Sequence, residues 1–210
     1  MSQQLLKFFV VFLVVIDPIS IIPVFVGLTT DASEAQRRLM ARRAVAIAAI
    51  ILTVFALVGG PFLKVMSISL ESFRIFGGML LFLIALEMVF ARTSGTRTST
   101  KEELESRQRE DISVFPLAFP FISGPGALAT ILLVFSPTTG KPLLFLGLLL
   151  CVFVVLLITL AVLYLATPML RILGVTGTSV INRLSGVLLG ALAVQYVVDG
   201  LRGSFGAFGS

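Results

Sequence analysis

The stretch VVIDPISIIPVF, residues 14–25, places an acid and two prolines inside the first long apolar run. A proline inside a helix removes a backbone hydrogen bond and costs about 3 kcal/mol or more, so Pro18 and Pro23 predict a broken helix. Irregular backbone at membrane depth is tolerated only where protein or a wet cavity surrounds it. A membrane span broken beside Asp17 is therefore a candidate binding site.

Composition places the chain among integral membrane proteins. Hydrophobic residues make up 57% and charged residues 13%, against roughly 45–50% and 25% in soluble domains. The mean hydropathy is +1.08. The chain has no histidine and one cysteine, Cys151, which excludes a disulfide framework and histidine or thiol metal centres. We therefore expect no metal, no cofactor and no catalytic residue. Ser123 has no general base near it in sequence, so an intramembrane enzyme is disfavoured.

Six apolar runs are long enough to cross a bilayer. We predict an all-α integral membrane protein with spans at about 5–29, 44–64, 73–90, 112–135, 143–169 and 181–201. The spans group into a first three-helix repeat at 1–90, a charged cytoplasmic loop at 91–111, a second three-helix repeat at 112–202 and a tail at 203–210.

The basic residues predict the orientation. Eleven lie on one side of the predicted spans: Arg37, Arg38, Arg42, Arg43, Arg92, Arg97, Lys101, Arg107, Arg109, Arg171 and Arg183. Five lie on the other: Lys7, Lys64, Arg74, Lys141 and Arg202. Loops rich in Lys and Arg stay cytoplasmic, so both termini are expected outside. The net charge of +5 is thus a topology signal, and we expect no nucleic-acid partner.

Three motifs recur in the same order in the two halves. Pro-x4-Pro at residues 18–23 recurs at 120–125, PFLKVM at 61–66 resembles PMLRIL at 168–173, and RIFGGML at 74–80 resembles RLSGVLL at 183–189. Because each half has three spans, the second half must run in the opposite direction. The sequence therefore predicts a 3+3 inverted-topology repeat with broken helices 1 and 4, an architecture typical of secondary transporters.

The two breaks predict half-helices that begin near the membrane midplane. Asp17 before Pro18, and Ser123 or Gly124 before Pro125, read as an N-cap followed by proline at the first helical position. Two such N-termini would favour an anionic group such as a carboxylate. The predicted substrate-binding residues are Asp17, Pro18, Ser20, Ile21, Pro120, Phe121, Ser123, Gly124, Pro125 and Gly126.

Two roles remain open for the polar members of this set. Asp17 either only caps its half-helix or also binds a proton, a cation or a substrate ammonium group. Ser20 and Ser123 either contact a ligand or bond to their own backbone.

Four charges at the ends of spans 3 and 6 form two candidate pairs. Arg74 and Asp199 belong to the outer end, and Glu87 and Arg183 belong to the inner end. They are expected either to form gate-like ion pairs between the two spans or to extend separately to the interfaces.

The chain resembles the MarC family, also described as small neutral amino acid transporters. The resemblance rests on DPISIIPVF, PLAFPFISGPGALATI and NRLSGVLLGALAVQYVVDGL, and with the span pattern it covers essentially the whole chain. It implies a multi-pass protein of the bacterial or archaeal cytoplasmic (inner) membrane, with glycine- or alanine-like substrates for some members. Ser20 and Ile21 stand where the family commonly has Gly-Asn, which leaves the substrate open.

The leading functional prediction is alternating-access transport of small neutral amino acids, with a proton or sodium ion as the candidate coupling ion. The alternative is a passive channel or pore, or an exporter of other small solutes, although the scarcity of mid-membrane charge disfavours an ion channel. The expected partners are membrane lipids and the amino acid substrate. Self-association into a homo-oligomer is left open.

Overall fold

The computed structural model describes residues 2–90, 111–138 and 140–206, and within them the regular structure is entirely helical. The α-helices are α1 Ser2–Ile16, α2 Pro18–Leu28, α3 Glu34–Val65, α4 Leu70–Phe90, α5 Pro125–Phe135, α6 Pro142–Tyr164 and α7 Ala166–Gly206. A wide π-type segment, Ser113–Ile122, precedes α5, and one 3-10 turn, Ser136–Thr138, follows it.

Five helical stretches of the described chain are long and apolar enough to span a membrane, and a bent pair brings the number to six. The spans are Ser2–Leu28, Glu34–Val65, Leu70–Phe90, Pro142–Tyr164 and Thr176–Phe205, with Ser113–Ile122 plus Pro125–Thr138 as the bent pair. The prediction of an all-helical integral membrane protein is therefore confirmed. Most of the predicted charged loop, 91–110, and the last residues of the tail, 207–210, lie outside the described residues.

The first span is interrupted at Asp17. Its backbone is left-handed, with φ 48° and ψ 67°, between the end of α1 and the start of α2. Pro23 lies inside α2, so the interruption falls at one residue and not at both prolines. At about 1.5 Å per residue, α1 is about 22 Å long and α2 about 16 Å. Asp17 is therefore close to mid-depth if the two helices together cross the bilayer.

The fourth span bends by 54° between Ser113–Ile122 and α5. Phe115 and Phe119 have extended backbone, with φ and ψ of −128° and 128° and of −132° and 127°. Each precedes a proline, which disfavours helical geometry at the residue before it. Gly124 lies at the bend, and a Cβ atom there would be 2.2 Å from the carbonyl oxygen of Pro120. Only glycine fits at this position without displacing the backbone.

Helix α3 begins ten residues before the predicted span, because Ser33 starts it with a capping box. The Ser33 hydroxyl accepts from the Gln36 backbone N–H at 3.3 Å, and the Gln36 side chain accepts from the Ser33 backbone N–H at 2.8 Å. At 32 residues α3 is about 48 Å long, well beyond the roughly 30 Å hydrocarbon core. Its first turns carry Arg37, Arg38, Arg42 and Arg43 and define what we call the arginine-rich end.

Helix α4 packs antiparallel to the part of α7 that follows its kink at Gly174, and the two backbones approach closely there. A Cβ atom on Gly186 would be 2.7 Å from the Met88 Cβ, and one on Gly78 would be 2.8 Å from the Ala193 carbonyl oxygen. Near the other end, a Cβ on Gly200 would be 2.8 Å from the Glu71 carbonyl oxygen. Small residues allow such close approach in membranes, so this α4–α7 seam has no room for sliding.

Candidate functional site

A small cavity of about 10 Å³ lies at the break in the fourth span. Five predicted residues line it: Pro120, Phe121, Gly124, Pro125 and Gly126. The space matches about one water molecule and is far too small for an amino acid. In this conformation the site is therefore closed around the break.

The beginning of α5 has free backbone positions at residues that line this cavity. Pro125 has no N–H group, and the Leu128 N–H donates to the Gly124 carbonyl at 3.0 Å. The N–H groups of Gly126 and Ala127 therefore precede the first intrahelical hydrogen bond, and both residues line the cavity. No side chain caps this terminus. Its positive dipole end suits an anionic group.

Asp17 is buried, with 4% of its surface exposed, but it does not line this cavity. The Ser20 hydroxyl donates to the Asp17 Oδ2, and the carboxylate makes no side-chain cap bond to the first turn of α2. Asp17 is the N-cap residue of α2 with Pro18 directly after it, as predicted, but its carboxylate accepts from Ser20 and makes no side-chain cap bond. The carboxyl group nevertheless lies at the N-terminus of α2, where the helix dipole favours its ionised form.

The two serines have different partners. Ser123 is fully buried, and its hydroxyl donates to the Ala118 carbonyl at 2.7 Å, which is the backbone alternative expected for it. Ser20 bonds instead to the side chain of Asp17, which is neither of the two alternatives left open for it, a ligand or its own backbone. Of the two serines, Ser20 is the one that bonds to an acidic side chain.

The two breaks approach each other through Val15 and Gly126. Val15, two residues before Asp17, lines the cavity, and its Cγ1 would be 3.5 Å from a Cβ on Gly126. Pro18, Ser20 and Ile21 do not line the cavity, and Ile21 is fully buried.

Four cavity residues were missed by the sequence reasoning: Val15, Ile84, Ile122 and Ala127. Val15 and Ala127 neighbour the predicted breaks, so a wider window would have included them. Ile84 comes from the middle of α4, and no sequence signal distinguishes it from its apolar neighbours.

A larger cavity of about 760 Å³ opens at the arginine-rich end. Gly27 and Leu28 at the end of α2 border it, together with an ion pair in which Arg43 Nη1 is 2.9 Å from Asp111 Oδ2. Asp111 Oδ1 accepts from the backbone N–H and the hydroxyl of Ser113. These bonds from Ser113, with a smaller contribution from Arg43, lower the pKa of Asp111 below its usual 3.8. The sequence reasoning did not select this pair.

Neither predicted charge pair of spans 3 and 6 is formed. The ion pairs within residues 2–90, 111–138 and 140–206 are Arg38–Glu34 and Arg43–Asp111. Asp199 Oδ1 instead accepts from Gln195 Nε2 at 2.8 Å, one turn back on its own helix. Glu87 Oε1 is buried without a hydrogen-bond partner in this part of the chain. The close seam thus joins α4 and α7 through backbone contact and not through these charges.

The comparisons with known proteins agree on the class. The sequence model of the MarC family integral membrane protein matches residues 2–205. A UPF0056 membrane protein of Aquifex aeolicus is 37% identical over 93% of this chain and 91% of its own length. The UPF0056 membrane proteins YhcE of Escherichia coli and PH0760 of Pyrococcus horikoshii are each 33% identical, over 95% and 90% of this chain and 92% and 90% of their own. No solved structure matches the chain.

Proposed function

Because the chain belongs to the MarC family of integral membrane proteins, found in bacteria and archaea, we propose that it is a secondary transporter of small neutral amino acids. The observation that carries the proposal is the meeting of two interrupted spans near mid-depth. The interruption at Asp17 and the 54° bend before α5 are adjacent through Val15 and Gly126. Irregular backbone at this depth is characteristic of transporter binding sites.

The two interruptions offer opposite charges to a zwitterion. The N-terminus of α5 has no acid of its own, so the N–H groups of Gly126 and Ala127 would receive the substrate carboxylate. The N-terminus of α2 already carries the Asp17 carboxylate, which would face the substrate ammonium group. This division refines the prediction that both N-termini bind the carboxylate.

The walls of the site favour a small apolar side chain. Val15, Ile84 and Phe121 surround the present cavity, and none offers a charge or hydroxyl to a substrate. Glycine and alanine need the least expansion of a cavity of about 10 Å³. Larger substrates would have to displace the fully buried Leu81 or the nearly buried Ile84, which already crowd Gly126.

In an alternating-access mechanism, a conformational change would open the small cavity to each side of the membrane in turn. The cavity of about 760 Å³ reaches Gly27 at the end of α2, about 15 Å of helix from Asp17, which supports a route from the arginine-rich end. The inverted repeat would supply the corresponding opening at the other end. We assign the rigid frame to the α4–α7 seam and the movement to α2, the Ser113–Ile122 segment and α5, in place of a gate between spans 3 and 6.

The proposal is tested with purified protein in liposomes. Uptake of labelled glycine and alanine is measured with imposed proton or sodium gradients. The protein is reconstituted with both termini on the outside of the liposome, the orientation expected for it in the inner membrane. Counterflow against unlabelled substrate separates a carrier, which shows trans-stimulation, from a passive pore, which does not. Protein-free liposomes give the background. If no small amino acid shows uptake or counterflow above that background, the proposed function is wrong.

A further inference from the structure

A second cavity at the arginine-rich end, about 440 Å³ in volume and open to solvent on one side, has the features of an anion-binding pocket. It lies between the end of α2, the first turns of α3 and the junction of α6 with α7. Its polar lining comes from Arg37, Arg38, Glu34, Tyr164 and Thr167. The volume is within the range of roughly 300–1,000 Å³ that is typical of small-ligand pockets.

Arg37 is held in place at one wall of this pocket. Its Nε donates to the Thr29 carbonyl at 2.8 Å, and its Nη2 donates to the Thr30 carbonyl at 3.2 Å. Its Nη1 donates to the Thr167 hydroxyl at 3.2 Å, across the pocket from α3 to α7. A guanidinium group has five N–H donors, so two remain beyond these three bonds. Arg37 therefore presents a fixed positive charge.

Arg38 supplies a second, more adaptable guanidinium group. It lies 5.8 Å from the centre of the Tyr164 ring, where the aromatic face attracts a cation. One of its N–H groups pairs with Glu34, and both side chains are largely exposed, at 58% and 78%. Exposed ion pairs of this kind are weak and exchange readily with other anions.

The pocket lies where the apolar span of α6 ends. Leu163 is buried inside the bundle, whereas Tyr164 and Leu165 are exposed at 39% and 54%. A tyrosine at the end of an apolar helix is typical of the membrane–water interface. Anionic headgroups are found at this level, and arginine binds phosphate oxygens through paired N–H groups.

We propose that this pocket binds a phosphate group through Arg38 and Arg37, carried by an anionic phospholipid headgroup or by free phosphate. Glu34 acts as the internal competitor that holds Arg38 when the pocket is empty. The site is distinct from the breaks at Asp17 and Gly124, so phosphate binding can be tested whether or not the protein transports amino acids.

The test compares three single substitutions in the purified full-length protein. Arg38→Gln removes the adaptable charge, and Glu34→Gln removes its competitor. Arg42→Gln is the matched control, because Arg42 is exposed on the same helix one turn away and does not line the pocket. Arg37 is left unchanged because it also anchors the end of α2.

Binding is measured as retained lipid in native mass spectrometry and as a shift of the unfolding midpoint. The probes are phosphatidylglycerol in detergent micelles and, separately, sodium phosphate. Phosphatidylcholine and sodium chloride at equal concentration are the references. Arg38→Gln is expected to weaken binding of the effective probe about 10-fold or more, as for loss of a charged hydrogen bond. Glu34→Gln should strengthen binding, and Arg42→Gln should bind as the parent does.

The two arms identify the source of the phosphate. If binding of phosphatidylglycerol depends on Arg38 and binding of sodium phosphate does not, the pocket is a lipid site. If only the binding of sodium phosphate depends on Arg38, the pocket binds the free ion. If Arg38→Gln and Arg42→Gln behave alike with both probes, the pocket is not a phosphate site. That result would leave glycine uptake unaffected, so it is separable from failure of the transport proposal.

Discussion

Replacing Gly186 by alanine tests whether the α4–α7 seam is as rigid as its contacts indicate. The added Cβ would lie 2.7 Å from the Met88 Cβ and 3.0 Å from the Ala85 carbonyl oxygen. The first distance is about 0.7 Å short of ordinary van der Waals contact. One obstructing atom is fixed to the backbone and the other belongs to it, so no side-chain rotation relieves the contact. The helices must separate locally.

Gly190 provides a matched control on the same face of α7. A Cβ there would lie 3.5 Å from the Ala85 Cβ, which is an ordinary contact. Overpacking of a close-packed interface costs about 1–3 kcal/mol. Alanine in place of a helical glycine without a clash is neutral or favourable by up to about 1 kcal/mol. Gly186→Ala is therefore expected to be at least about 1 kcal/mol less stable than Gly190→Ala.

The assay is reversible unfolding of both variants in mixed detergent and denaturing surfactant, with thermal midpoints as a second measurement. A difference of 1 kcal/mol corresponds to roughly 2–4 °C in the midpoint for a chain of this size. Glycine uptake by the surviving folded fraction of Gly186→Ala should be close to the parental rate, because the seam is assigned to the fixed frame. Equal stability of the two variants would refute the close contact, and a selective loss of uptake would refute the assignment of the seam to the frame.

Three further substitutions test the site and the arginine-rich end. Asp17→Asn keeps an acceptor oxygen for the Ser20 hydroxyl but removes the carboxylate, so we expect a folded protein that loses about 1 kcal/mol or less of helix-dipole stabilisation. Glycine uptake should fall about 10-fold or more. Uptake at the parental rate would show that the carboxylate is not used. Gly124→Ala places a Cβ 2.2 Å from the Pro120 carbonyl oxygen and should lower the free energy of unfolding by about 1–3 kcal/mol or more. Gly27→Ala is the control, because a Cβ there has nothing within 4 Å and should not destabilise the protein. Equal unfolding midpoints for the two variants would contradict the bend geometry. Because the pKa of Asp111 is lowered, chiefly by the Ser113 hydrogen bond, its stabilisation is complete above 3.8 and is lost as the pH falls through the lower folded-state value. The difference in unfolding midpoint between the parent and Asp111→Asn should therefore disappear as the pH falls below 3.8. A difference that does not change with pH would show that ionisation of Asp111 does not stabilise the fold.

The membrane class and the positions of the breaks were predictable because they depend on local chemistry. Apolar runs longer than about 17 residues indicate spans, and proline beside Asp17 and Gly124 indicates interruption. The early start of α3 was also encoded locally, in the capping box of Ser33 and Gln36, but the arginine-rich composition obscured it.

The contacts across the bundle were not predictable, because they depend on how the helices rotate about their axes. Asp17 and Gly126 are both beside breaks, yet only Gly126 lines the small cavity. Arg74 and Asp199 are placed at the same end by span counting, but Asp199 bonds to Gln195 on its own helix and no ion pair joins it to Arg74 within the described residues. A shift of one residue turns a helical side chain by about 100°, which span prediction cannot resolve.

The extension of α3 beyond the predicted membrane span links the two halves of the chain at the arginine-rich end through polar bonds. Arg37 bonds to Thr167 at the start of α7, and Arg43 bonds to Asp111 just before the Ser113–Ile122 segment. Both links are exposed to solvent, so water replaces them when they open, at a net cost of about 0.5–1.5 kcal/mol each for bonds of ordinary strength. The same chain therefore has one end at which its halves are joined by solvent-exposed polar bonds and a glycine-lined helix pair that holds them in register.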